Sequence, residues 1–239
     1  MKIALVTGGT KGIGLAVVKM LLAKKYYVVL TYSHDTTAAI ECNNVLSEFK
    51  GSYEIVKASQ DNIIDMNNLV KRIHSLGVIN CIICNAGTTL RKELVSISNE
   101  EWNKVMDINV NSNVFLIRDL FDIIVPNSRI VFIGSLMGIH PHATSLAYGV
   151  TKSAVHALAK NMVKCFEGSG TTVNAIAPGF VETEWQKNKP VEIRKNIYNK
   201  TANKRFASVE EIAAAVRFCI DNPYVNGSII EISGGYSFK

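Results

Sequence analysis

Short runs of β-branched and aliphatic residues alternate with longer stretches of helical period along almost the whole chain. The runs KIALV (2–6), YVVLT (27–31), YEIVKA (53–58), INCIIC (79–84), RIVFIG (129–134), TVNAIA (172–177) and SIIEI (228–232) have the length and side-chain type of buried strands. Between them, stretches near 12–24, 36–49, 62–75, 99–122, 147–167 and 208–221 repeat apolar positions at helical intervals. Alternation of this kind predicts right-handed βαβ units. The expected architecture is α/β: a doubly wound parallel sheet of about seven strands with helices on both faces. No repeat, low-complexity tract or linker divides residues 1–239, which read as a single domain. Residues 182–205 (ETEWQKNKPVEIRKNIYNKTANKR) are polar and lack a strand or core pattern, which predicts a mobile lid.

Open parallel sheets bind ligands beyond the carboxyl ends of their strands. Here those ends carry TGGTKGIG after the first strand, TYSH after the second, NAG after the fourth, GSLMG after the fifth and APG after the sixth. Glycines, Asn85 and Ser135 therefore converge on one edge. TGGTKGIG joins a strand to a helix, the context in which glycines let the backbone approach a pyrophosphate and the helix N-terminus favours the anion. In AYGVTKSAVHALAK (147–160), Tyr148 and Lys152 stand one helical turn apart on one face. Alone, the pair could be a surface contact. Beside a site, the ammonium would favour the phenolate of Tyr148.

Composition adds bounds. With 48% apolar residues the chain can bury a large core, and its first apolar run, IALV, is too short for a signal-peptide core. A soluble, cytoplasmic protein without a membrane partner is expected. A formal charge of +6 favours anionic ligands, but bases and acids are interspersed, so no nucleic-acid stripe is expected. The five cysteines do not suggest a disulfide framework, and CIIC lies in a strand, where Cys81 and Cys84 would face opposite ways. No metal site is expected.

TGGTKGIG, NAG, Ser135, YGVTK and APGFVET resemble, in order and spacing, the short-chain dehydrogenase/reductase family, and the likeness spans essentially the whole chain. It implies a Rossmann-type domain binding NADP(H), with Asn109, Ser135, Tyr148 and Lys152 as the catalytic set. Tyr148 would be the general acid/base, and Lys152 would also hold the nicotinamide ribose. Ser135 would bond the substrate oxygen, and Asn109 would order a water leading to Lys152. The neighbouring Asn103, Asn111 and Asn113 are assigned to solvent or capping. The resemblance places the cofactor on Gly8, Thr10, Lys11, Gly12, Ile13 and Gly14, on Asn85, Ala86 and Gly87, and on Pro178, Gly179, Val181 and Thr183. Cys84 stands where the family more often has another asparagine.

The second strand ends in Tyr32, Ser33 and His34 instead of the acid usual in NAD enzymes. With Lys11 in the loop, this implies a 2′-phosphate held by Lys11, Tyr32 and Ser33. Asp35 is expected to begin the next helix. Ser59–Gln60 replaces the family's usual adenine-contacting pair, and Asp61 is an alternative contact. His140 and His142 lie in a loop expected to border the substrate cleft. Trp102 and Trp185 are expected to pack, Trp185 against the lid. Helices 99–122 and 147–167 resemble the family's dimer helices, and SIIEISGG resembles a strand that completes a tetramer, so a homotetramer built as a dimer of dimers is expected.

The likeness is greatest to the 3-oxoacyl-acyl-carrier-protein reductases, implying NADPH-dependent reduction of a 3-oxoacyl thioester in fatty acid biosynthesis. The segments FDIIVPNSR and EGSGTT hold only Arg129 as a base, however, so basic docking residues for an acidic carrier are not evident. Alternatives are reduction of an acyl-CoA, a sugar or another small ketone, and a catalytically idle NADP-binding sensor or scaffold.

Overall fold

A computed structural model describes residues 1–141, 145–187 and 189–236, and the side chains of all of these except Trp185 and Lys187. All seven expected strands form: β1 (Lys2–Val6), β2 (Tyr26–Tyr32), β3 (Tyr53–Lys57), β4 (Ile79–Cys84), β5 (Ile124–Ile133), β6 (Thr172–Pro178) and β7 (Ile229–Ile232). They pair in parallel in the order β3-β2-β1-β4-β5-β6-β7. The chain reverses direction across the sheet between β1 and β4, which opens a crevice at their carboxyl ends. The helices are α1 (Gly12–Ala23), α2 (Thr36–Val45), α3 (Ile63–His74), α4 (Asn99–Met106), α5 (Ser112–Asp119), α6 (Leu146–Met162), α7 (Glu184–Lys187), α8 (Val191–Lys200) and α9 (Val209–Asp221). None among the described residues is long and apolar enough to cross a membrane.

Two apolar layers sandwich the sheet, and strand alternation divides side chains between them. Ala4 and Val6 of β1 pack with α1 and α9, whereas Leu5 packs with α3, α5 and α6. Cys81 joins the first layer and Cys84 the second, as their spacing predicts. Both are fully enclosed, and burial pushes each thiol up to about 12.

The expected helix 99–122 is interrupted. Between α4 and α5 the backbone takes one wide π turn at Asp107–Asn111. The Asn113 side chain donates to the Asn109 carbonyl at 2.7 Å and is buried, so of the two roles expected for it, solvent or capping, it does not face solvent. Asn111 instead bonds Asp107 at 2.7 Å on the outside. β5 starts earlier than its apolar pattern because Asn127 adopts φ 63° at a register shift opposite β4. A left-handed kink of this kind suits asparagine and lets the strand resume beyond it.

The polar stretch 182–205 contains α7 and α8, neither of them legible as a helix in the sequence. α8 buries only Ile197, too little to set a period; Tyr198 then meets Phe206 edge-on at 5.1 Å. An ion pair between Glu182 and Arg194 spans the segment.

Candidate active site

The loop after β1 is shaped by what a side chain would strike. A Cβ on Gly14 would fall 2.2 Å from the Gly8 carbonyl oxygen and 2.7 Å from the Asn85 amide nitrogen. Gly8 itself has φ 63°, a conformation that few other residues adopt. α1 then begins with no side-chain cap and no acid in its first turn. Its leading N–H groups and positive dipole end are left for an anionic ligand. Asn85 braces this cradle: its amide donates to the carbonyls of Thr7 at 2.9 Å and Gly8 at 2.8 Å. The Thr7 hydroxyl in return accepts from the N–H groups of Asn85 and Ala86, each at 3.0 Å.

A cleft of about 590 Å³ runs from this loop across the sheet edge. Every cofactor residue expected from the sequence lines it, as do Ser135, Tyr148 and Lys152. Asn109 lies behind the wall, 1% exposed. Its amide accepts from the Thr88 N–H at 2.8 Å, and donates to the Thr88 carbonyl and the Thr151 hydroxyl, each at 2.9 Å. Thr151 donates onward to the Tyr148 carbonyl at 2.8 Å. Asn109 thereby holds the loop after β4 against α6.

The Lys152 ammonium lies 5.6 Å from the Tyr148 ring centroid and donates to the Ile133 carbonyl at 2.7 Å. Burial pushes it down to about 8. The expected lowering of the Tyr148 hydroxyl does not occur in this structure. Burial raises it, while a hydrogen bond with Ser135 and the charge of Arg91 pull it part of the way back. With the ammonium bonded to Ile133, desolvation of the phenolate dominates. The Ser135 hydroxyl accepts from the Met137 N–H at 3.1 Å, which leaves its own hydrogen to donate to Tyr148.

The cofactor's adenosine end also departs from expectation. Asp35 does cap the next helix, accepting from the Ala38 N–H at 2.9 Å, but it also takes the Lys11 ammonium at 2.6 Å. The cation expected to meet a 2′-phosphate thus faces an acid on the same cleft wall. Ser33 bonds Ser59 at 2.6 Å, and Ser59 donates to Asp61 at 2.6 Å. Gln60 lines the cleft beside them, its amide nitrogen and oxygen buried without partners. His140 is not on the cleft; its ring lies 6.4 Å from that of Tyr236. His142 and the Trp185 side chain lie outside the described residues.

Sequence reasoning missed His156, one turn beyond Lys152 on α6. Its ring is buried, and Nε2 accepts from the Ser135 N–H at 3.4 Å. A Cβ on Gly134 would fall 2.2 Å from that nitrogen, and one on Gly138 would fall 2.8 Å from Cε1, so both glycines make room for the ring. The i, i+4 spacing from Lys152 was the available signal. Burial and the charges of Lys152 and Lys160 push the imidazole down to about 4.

The residues fall into a known pattern. The short chain dehydrogenase family model matches residues 2–193. The short-chain dehydrogenase/reductase SDRA of Arabidopsis thaliana is 30% identical over 240 residues, covering 98% of this chain and 94% of that protein. A 3-oxoacyl-[acyl-carrier-protein] reductase of Synechocystis is 30% identical over 241 residues, covering 98% and 96%. The solved short-chain dehydrogenase/reductase of Serratia marcescens superposes with TM-score 0.92 at 26% identity, over 99% of this chain and 98% of that one.

His156 has a consequence for stability. Between pH 6.5, the ordinary imidazole value, and about 4, the unfolded chain binds a proton there that the native state excludes. Stability should therefore fall as pH drops through that window. Thermal unfolding of His156→Gln should show a shallower loss between pH 7 and pH 5 than the natural chain; equal losses would place the acid sensitivity elsewhere.

Proposed function

The chain belongs to the short-chain dehydrogenase/reductase family, and we propose that it is an NADPH-dependent reductase of 3-oxoacyl thioesters, acting in the cytoplasm in fatty acid biosynthesis. One observation carries this reading: Tyr148, Lys152 and Ser135 line the same cleft as the glycine cradle. That cradle, whose space a Cβ would fill, fits a dinucleotide. The N–H groups opening α1 would meet its pyrophosphate, Lys11, Tyr32 and Ser33 its 2′-phosphate, and Asn85–Gly87 its adenosine ribose. Pro178, Gly179, Val181 and Thr183 would hold the nicotinamide end, and Lys152 its ribose. When bound, NADPH supplies hydride to the keto carbon.

The chain's own residues manage the oxygen. Ser135 would turn its hydroxyl hydrogen from Tyr148 to the substrate carbonyl, and Tyr148 would deliver the proton as charge develops there. Burial keeps the Tyr148 hydroxyl protonated beforehand. Lys152, pushed down to about 8, is still mostly cationic at neutral pH and offsets the phenolate left behind. Asn109 holds α6 in place and would order the water expected near Lys152. Residues 182–205 form the lid, with Thr183, Glu184 and Gln186 already on the cleft wall.

Several relatives are 3-oxoacyl-[acyl-carrier-protein] reductases, which supports the 3-oxoacyl substrate. Arg129 does not favour a carrier-bound form. It donates to the carbonyls of Ile220 at 3.1 Å, Asn127 and Ser128 at 2.8 Å, and Gly170 at 3.3 Å. Phe115, Phe121, Leu146 and Val150 on and beside α5 and α6 are more than a third exposed, which supports pairing through these helices into a homotetramer.

Tyr148→Phe should lower kcat on a 3-oxoacyl thioester by about 100- to 10,000-fold, with NADPH affinity, read by fluorescence titration, almost unchanged. Retention of more than about a tenth of kcat would remove Tyr148 from the acid role. The kcat/KM ratio for NADPH over NADH should exceed about ten. It should rise in Asp35→Asn, which keeps a good helix cap while releasing Lys11, and fall in Tyr32→Asp. An unchanged ratio in both variants would move the 2′-phosphate elsewhere. Sedimentation at micromolar concentration should give a tetramer, and a monomer would refute the assembly.

A further inference from the structure

The charged side chains of the cleft are balanced at one end and not at the other. At the adenosine end, the Lys11 ammonium lies 2.6 Å from Asp35 and the Lys104 ammonium 3.6 Å from Asp61. At the catalytic end Arg91 lines the same cleft, in the loop after β4. Among the described residues it makes no ion pair or hydrogen bond, with Glu184 of the cleft wall or any other acid. Its charge reaches the Tyr148 hydroxyl. It also reaches Lys189, at the start of the lid's second helix, which has no acid partner among the described residues. Arg91 is exposed on the cleft wall, so its guanidinium is open to an anion entering there.

We propose that Arg91 is a subsite for an oxyanion carried by the substrate. The enzyme's ketone is then an anionic one, bearing a carboxylate or a phosphate. This rests on the reductase reading above. A guanidinium presents a planar fork that matches either group with paired hydrogen bonds. The subsite lies off the reacting carbon, so it holds ground state and transition state alike, and its loss falls mainly on KM. Because Arg91 also acts on Tyr148, a loss shared by neutral and charged ketones would reflect the acid and not recognition.

The test compares the whole enzyme with NADPH on three ketones: ethyl acetoacetate, which is neutral; acetoacetate, with a carboxylate one methylene from the keto group; and acetoacetyl-CoA, with remote phosphates. Arg91→Gln should lower kcat/KM about 10- to 100-fold on a charged ketone, chiefly through KM, and leave the neutral ester within about threefold. Lys189→Gln should act in the same direction more weakly. A loss confined to acetoacetate assigns the subsite to a carboxylate, and one confined to acetoacetyl-CoA assigns it to a phosphate. Lys92→Gln removes the neighbouring charge, which is tied to Glu101 at 2.6 Å away from the cleft, and should change nothing. Equal losses on all three ketones, an equal loss in Lys92→Gln, or no loss in Arg91→Gln overturns the subsite. Wild type that reduces the neutral ester without favouring a charged ketone also overturns it while leaving the reductase reading intact. Wild type that reduces none of the three sinks that reading and the subsite with it.

Discussion

The arrangement of the site depends on one buried amide. Asn109 presents an acceptor and two donors, and all three are used: on the N–H and carbonyl of Thr88, and on the hydroxyl of Thr151. A carboxylate could not donate, and an apolar side chain would leave the N–H and carbonyl of Thr88 unpaired, each costing about 1–3 kcal/mol where buried. Through Thr151 the amide fixes the Tyr148 carbonyl, and through Thr88 it fixes the strand end beside Gly87. Turning that side chain inward coincides with the wide turn between α4 and α5, where Asn113 covers the Asn109 carbonyl.

Desolvation then sets the protonation states. Burial raises the Tyr148 hydroxyl and lowers Lys152 and His156, so the acid stays protonated and the imidazole neutral. A neutral His156 can accept from the Ser135 N–H, which a protonated ring could not do. The glycines at 134 and 138 follow from this, since any side chain there would displace the ring. The structural layer behind Ser135 is thus specified by a histidine on a different element.

At the other end of the cleft the forces are weaker. The Lys11–Asp35 pair is about half exposed on both sides, and exposed pairs of this kind contribute little to stability. A phosphate with nearly two charges can compete for that ammonium. The proposed cofactor preference would therefore rest on exposed, exchangeable contacts, whereas Asn109, Lys152 and His156 are held by buried ones.

The sequence by itself determined the strands, the parallel sheet and the residues along its ligand edge. Strand period, glycine spacing and the Tyr148–Lys152 turn are local patterns, and the same short-range sterics that produce them can be read directly. It did not reveal α8, because a helix with a single buried apolar side chain has no period to detect. It left Asn113 between solvent and capping, because an asparagine that caps backbone from within a helix looks like one facing water. What only the tertiary structure decided were the pairings across elements: Lys11 with Asp35, His156 behind Ser135, Lys152 on Ile133, and Arg91 without an acid among the described residues. Each joins residues that are distant in the chain or on separate elements, or in Arg91's case depends on which acids fold nearby. The outcome turns on desolvation and distance, and these exist only once the chain has closed around them.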